Sequence, residues 1–133
     1  MTDLGLNEAL HLTTYKILDK MSRILYVLFV KTIIFIGDSR ESIREFPESA
    51  RRAMGSQLLR IQNGLDPLDW KPMKAVGAGV REVRVHTDGE FRAFYVTHIG
   101  NVLYVLHAFR KKTQKTSLKD ITLGRLRFKQ IGE

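Results

Sequence analysis

Fixed positive charge, exchangeable protons and an imidazole occur together in one stretch of the chain, His107 to Ile121, where an apolar run passes through a block of cations into a helix start. Arg110, Lys111, Lys112 and Lys115 supply the charge. Thr113, Gln114 and Thr116 can donate hydrogen bonds to phosphate oxygens, and His107 titrates near neutrality. Chemistry on a phosphate needs such groups at the end of a rigid element. A lysine-rich loop that is merely solvated is the plainer reading, and for an isolated Lys-Lys pair it is the default. The rest of the chain shifts that balance.

Charge is the first reason. Through Trp70 the nine Lys/Arg and nine Asp/Glu cancel, whereas from Lys71 onward thirteen Lys/Arg face five Asp/Glu, so the whole net charge of +8 sits in the second half. A polyanion would be bound there, although acidic protein or lipid headgroups satisfy the same charge. At 133 residues and 44% apolar content the chain can bury one real core. It has no cysteine, which excludes disulfides, thiolate metal sites and a cysteine nucleophile and fits an intracellular, cytoplasmic protein. The four histidines, His11, His86, His98 and His107, lack metal-motif spacing, so no metal and no cofactor is expected.

The elements that must carry these groups follow from pattern. A helix is expected over Thr2–Lys20, and the apolar run Ile24–Val30 with Ile33–Ile36 is expected as strand, because Lys31 interrupts it well short of a membrane span. Met21 would allow a shorter product. Asp38 or Ser39 is expected to cap a helix through Phe46, and Pro47 to open the first turn of another that runs to about Gln62 and stops at Asn63-Gly64. Its apolar stripe comprises Ala50, Met54, Leu58 and Ile61, widened by Ala53 and Leu59, with Arg51, Arg52 and Arg60 on the wet side. Leu65–Pro72 reads as a loop with Trp70 over a core edge, and Val76-Gly-Ala-Gly79 as a turn rather than a phosphate cradle. Three central strands follow, Val80–His86, Phe91–His98 and Val102–Phe109, joined by turns at Thr87-Asp88-Gly89 and Ile99-Gly100-Asn101. The first places Val83 and Val85 on one face and Glu82, Arg84 and His86 on the other. Ser117 is expected to cap a basic helix to about Gln130, anchored by Ile121, Leu126 and Ile131.

Val80-Arg-Glu-Val-Arg-Val85, Phe91-Arg-Ala-Phe-Tyr95 and Tyr104-Val-Leu-His-Ala-Phe-Arg-Lys-Lys-Thr-Gln-Lys-Thr116, with Asp120-Ile121 beyond, resemble the HigB-like, phage-derived branch of the RelE/ParE toxin superfamily. Three motifs keep their order and spacing over about Lys31 to Gln130; Phe91 and Ser117 stand where the family usually has other residues, and neither removes a charge. The resemblance implies an α+β fold, with two N-terminal helices on a small twisted, mostly antiparallel sheet and a C-terminal basic helix. Residues 1–30 would then be an N-terminal extension and 31–133 a single RelE-like domain. It also implies the toxin of a type II toxin–antitoxin pair, a cytoplasmic mRNA endoribonuclease working with the ribosome and restrained by a cognate antitoxin of helix-turn-helix type, with no membrane association. A ParE-like poison of DNA gyrase and a non-catalytic nucleic-acid-binding module are the alternatives.

Metal-independent RNA cleavage needs a base for the 2′-hydroxyl, cations for the phosphorane and an acid for the leaving 5′-oxygen. On this reading Arg84 and Arg92, from adjacent strands, clamp the phosphate; the competing reading pairs them with Glu82 or Glu90. His107 is the candidate acid or base, against the alternative of a buried, hydrogen-bonded histidine, and Lys111 and Lys112 stabilise charge. Arg81, Arg110, Gln114 and Lys115 would hold the RNA, with Tyr95 stacking on a base unless it packs in the core. Arg92→Ala is expected to abolish most activity without harming the fold.

Overall fold

The computed structural model describes residues 16–24 and 30–132, and the chain divides into two units between Val30 and Lys31. In the first unit residues 16–24 are helical. The helix expected over Thr2–Lys20 otherwise lies outside the described residues. So does most of the strand expected at Ile24–Val30, of which Ile24 is helical and Val30 lies in a bend.

The second unit runs β1 (Thr32–Phe35), α1 (Ser39–Arg44), α2 (Glu48–Gln62), β2 (Trp70–Pro72), β3 (Arg81–His86), β4 (Glu90–Val96), β5 (Val102–Lys111) and α3 (Leu118–Ile131). The strands form one sheet in the order β1-β5-β4-β3-β2, antiparallel throughout except for parallel β1 and β5. This is the mixed α+β architecture expected, and β3, β4 and β5 are its three interior strands. Asp88 at φ 47° and Gly89 at φ 147° make the tight turn that sets His86 opposite Glu90.

Period-two alternation gives the sheet two apolar faces. Val83, Val85, Phe91, Ala93 and Tyr95 pack under α1 and α2 with Ile43, Phe46, Ala50, Met54, Leu58 and Ile61. Val80, Phe94, Val96, Leu106 and Phe109 face the other way, toward Ile121, Phe128 and Ile131 of α3. The register of β5 slips between Phe94–His107 and Tyr95–Val105, so the bulge turns Leu106 and His107 both toward α3. That helix lies close on the sheet because Gly124 faces it: a Cβ there would stand 2.7 Å from the Phe94 ring. Ser117 caps it, accepting the Asp120 N–H at 3.1 Å.

Several local expectations need correction. Trp70–Pro72 is an edge strand rather than loop; Pro72 fits because an edge position can lack its N–H. Asp38 does not cap α1 with its side chain, which instead accepts from Arg127 Nη2 at 2.7 Å. Pro47 is the N-cap of α2, not a residue of its first turn. Leu59 and Leu126 are exposed; Gln57 takes the buried place in α2, its amide oxygen accepting the Leu68 N–H at 2.8 Å. β4 ends at Val96, two residues early. No helix among the described residues is long and apolar enough to cross a membrane.

Candidate functional site

The face of the sheet that bears α3 is apolar at one end and charged at the other. Register across β3, β4 and β5 divides it into rows. Glu82, Phe94 and His107 stand side by side in the first, Arg84, Arg92 and Phe109 in the second, and His86, Glu90 and Lys111 in the third, nearest the β3–β4 turn. α3 packs over the first row, and the third is open.

Glu82 organises the transition. It is fully buried, with Arg84 Nε donating to its Oε1 at 3.3 Å, Arg92 Nε 3.4 Å from the same oxygen, and Thr116 Oγ1 donating to its Oε2 at 3.1 Å. A carboxylate without water is tolerable only when cations and donors surround it, and these three groups supply that. They also fix both guanidiniums before any ligand arrives. Arg92 is itself buried at 5% exposure and donates from Nη1 to Glu90 Oε2 and to the Phe91 carbonyl, each at 3.1 Å. Thus the clamp and the ion-pair readings describe one arrangement: the arginines converge because Glu82 pairs with both.

Lys111 completes the cationic rim. Burial first, and then the charges of Arg92, Lys71 and Arg84, push its ammonium below the usual lysine range against the opposing pull of Glu82. Lys71, on β2 opposite Glu82, belongs to the same group although prolines around it disguise the strand. Beside Lys111 lies a cavity of about 150 Å³ whose lining includes Phe109, Arg110, Lys111, Lys112 and Asp120.

Of the remaining expected site residues, Arg110 and Lys112 border that cavity and the others lie apart from it. His107 is buried beneath α3, its Nε2 at 2.7 Å from Asp120 Oδ1 and its ring stacked on Phe109. Its Nδ1 has no partner, so a second proton would bury an unpaired N–H; burial accordingly lowers its pKa. It is a core histidine that ties β5 to α3. Tyr95 is 1% exposed in the opposite core and offers no face to a base. Arg81 lies on that reverse side too, its guanidinium 3.9 Å over the Trp70 ring and 2.9 Å from Asp66 Oδ1, and Arg110 covers the Phe91 ring. Lys112, Gln114 and Lys115 are exposed in the loop that leads to Thr116.

Three residues of the charged end were not among the expected site groups. Glu82 stood in the sequence only as a possible ion-pair partner; its place between two arginines at strand spacing was the available signal. Glu90 likewise stood as a possible ion-pair partner, and His86 only as a residue on the face of its strand that carries Glu82 and Arg84. In the structure His86 Nε2 is 2.6 Å from Asp69 Oδ2, and its Nδ1 makes a short hydrogen bond to Glu90 Oε2. Asp69, then Glu90, raise the histidine's pKa, while Arg92 and then His86 lower that of Glu90. The two carboxylates address opposite nitrogens of one ring and cannot close on a single ion; among the described residues no group of three metal-ligating side chains could do so.

The family model described as "Phage derived protein Gp49-like (DUF891)" matches residues 41–129, which hold every group of this site. A search of curated proteins returns no match.

Proposed function

The chain belongs to the phage-derived Gp49-like protein family, a RelE/HigB-like toxin family, and on that premise we propose that it is a cytoplasmic endoribonuclease of a type II toxin–antitoxin system that cuts mRNA at the ribosome. The observation that carries the nuclease reading is the convergence of Arg84, Arg92 and Lys111 on one uncovered end of the sheet around a buried Glu82. Preorganised cations of this kind stabilise charge that develops on a phosphorane, because they need no reorganisation at the moment of reaction.

Arg84, a quarter exposed, and Lys111 meet the incoming phosphate first. Arg92 is reached by displacing the exposed Glu90 carboxylate from its Nη1, so that one anion replaces another on a guanidinium already held by Glu82. The lowered pKa of Lys111 favours its neutral amine, the form that accepts the 2′-hydroxyl proton. A gyrase poison has no need for these three groups to converge, which favours the nuclease over the ParE-like reading. A cognate antitoxin of helix-turn-helix type restrains the activity in the cell.

Induction of the protein without its antitoxin should arrest bacterial growth with cleavage of mRNA at defined positions. Growth arrest with intact mRNA would sink the nuclease reading and leave toxicity standing. A single-stranded nucleic-acid binder without chemistry would share the salt-dependent affinity but release no cut product.

A further inference from the structure

Glu90 Oε2 accepts from two groups at once, Arg92 Nη1 and His86 Nδ1. An oxygen held between a fixed cation and a proton donor is in the situation a leaving alkoxide requires. Nothing in the clamp chemistry uses His86, yet its ring is half exposed, at the open end of the face, in one cross-strand row with Glu90 and Lys111. His107, the other histidine on this face, is sealed under α3 and cannot reach a substrate.

Resting on the nuclease reading, we propose that His86 is the proton donor to the leaving 5′-oxygen, that Asp69 orients its ring through Nε2, and that the Glu90 carboxylate occupies the leaving oxygen's place in the free protein. When the phosphodiester enters, its oxygen takes over the contacts of Glu90 Oε2, and Nδ1–H is left aimed at it. The 2′-oxygen then attacks phosphorus and gives up its proton to neutral Lys111. The bond from phosphorus to the 5′-oxygen breaks with its electron pair staying on that oxygen, which takes the Nδ1 proton. The products are a 2′,3′-cyclic phosphate and a 5′-hydroxyl, with a neutral His86 and a charged Lys111 to be reset by water.

The groups facing His86 support its charge state. Asp69 from the segment before β2, and then Glu90 from β4, raise the pKa of the ring against the opposing effect of its burial, which favours the protonated form an acid needs; Arg84, Arg92 and Lys111 are the cations on the same face. Donation through Nδ1 leaves the Asp69 contact intact. That is the role an orienting carboxylate plays for an imidazole.

The test uses a short synthetic RNA, presented free and in the decoding site of translating ribosomes, in two forms: one with an ordinary bridging 5′-oxygen at the cleaved bond and one with sulfur there. A thiolate leaves without a proton. His86→Gln should cut the oxygen-bridged RNA about 10² to 10⁴ times more slowly than the parent and the sulfur-bridged RNA at the parental rate. Asp69→Asn should move the high-pH fall of the oxygen-bridged rate to lower pH while leaving the sulfur-bridged profile in place. Equal losses on both substrates would make His86 a positioning or structural residue and overturn the proposal, as would full activity of His86→Gln on oxygen. Melting curves of the variants confirm that rates are compared on folded protein. A parent inert toward both substrates in both settings would instead sink the nuclease reading itself.

Discussion

Two ends of one sheet face, only two registers apart, treat polar groups in opposite ways. At the end beneath α3, Phe94, Leu106 and Phe109 make an apolar layer in which burial lowers the pKa of His107 against the pull of Asp120. At the open end, Asp69 and then Glu90 raise the pKa of His86 and favour its charged form. The same residue type, on two strands of one sheet with β4 between them, becomes a piece of the core or a half-exposed group between two carboxylates according to whether a helix lies over it. Cover decides the role, and Glu82 marks the border, buried like the one end and charged like the other.

The strongest way to break that comparison is Arg92→Ala. Removing one cation from fully buried Glu82 should cost about 3–5 kcal/mol of stability besides a loss of roughly 10² to 10³ in cleavage rate. The sequence alone leads to the expectation of a largely intact fold; the ion pair of Arg92 with buried Glu82 is the reason to expect a loss of stability. Arg92→Lys should recover most of the melting temperature but little of the rate, because an ammonium balances Glu82 without reproducing two directed contacts to phosphate. A parental rate in the alanine variant would remove Arg92 from the site.

A smaller effect tests the covered end by itself. Gly124→Ala pushes a methyl toward the Phe94 ring, and such overpacking costs about 1–3 kcal/mol. Cleavage measured below the melting temperature should be unchanged; a rate loss there would show that the two ends are not independent.

The histidines sharpen the contrast through pH. His107 has a folded pKa below its unfolded value of about 6.5, so the stability tied to its neutral form is complete above that value and is lost as pH falls through the folded pKa. His86 has a folded pKa above it, so its contribution is present below about pH 6.5 and disappears as pH rises through the folded pKa. Melting curves against pH should therefore show His107→Gln flattening the acidic side and His86→Gln flattening the alkaline side. Slopes of the same sign would contradict the assignment. Smallest of all, Leu126→Ser on the exposed side of α3 should stay within about 0.5 kcal/mol of the parent.

Much of the fold could be read from short-range pattern. Val83 and Val85 against Glu82, Arg84 and His86, the Thr87-Asp88-Gly89 turn and the Ser117 cap are local statements, and each is realised. What escaped depends on partners far along the chain. Trp70–Pro72 becomes a strand only because β3 pairs with it, and Leu59 and Leu126 sit on faces that helical spacing could not tell from their buried neighbours. The site divided in the same way. Arg84, Arg92 and Lys111 were visible as cations near strand ends, whereas the burial of Glu82 needs Thr116 from 34 residues on. Likewise the role of His86 needs Asp69 from 17 residues before.

The lone parallel pairing has a consequence for how the protein comes into being. β1 and α1 are anchored on β5, where Ser39 Oγ donates to the Val105 carbonyl 66 residues away. Contacts so remote in sequence form late, because a long loop must close before they give anything back. The β3–β4 hairpin can fold as it leaves the ribosome, but it carries Arg84 and Arg92 without Lys111, and β1 has nothing to dock against until β5 emerges. A nascent or prematurely terminated chain therefore lacks the joined group of Arg84, Arg92 and Lys111 until β5 has emerged and paired with β4.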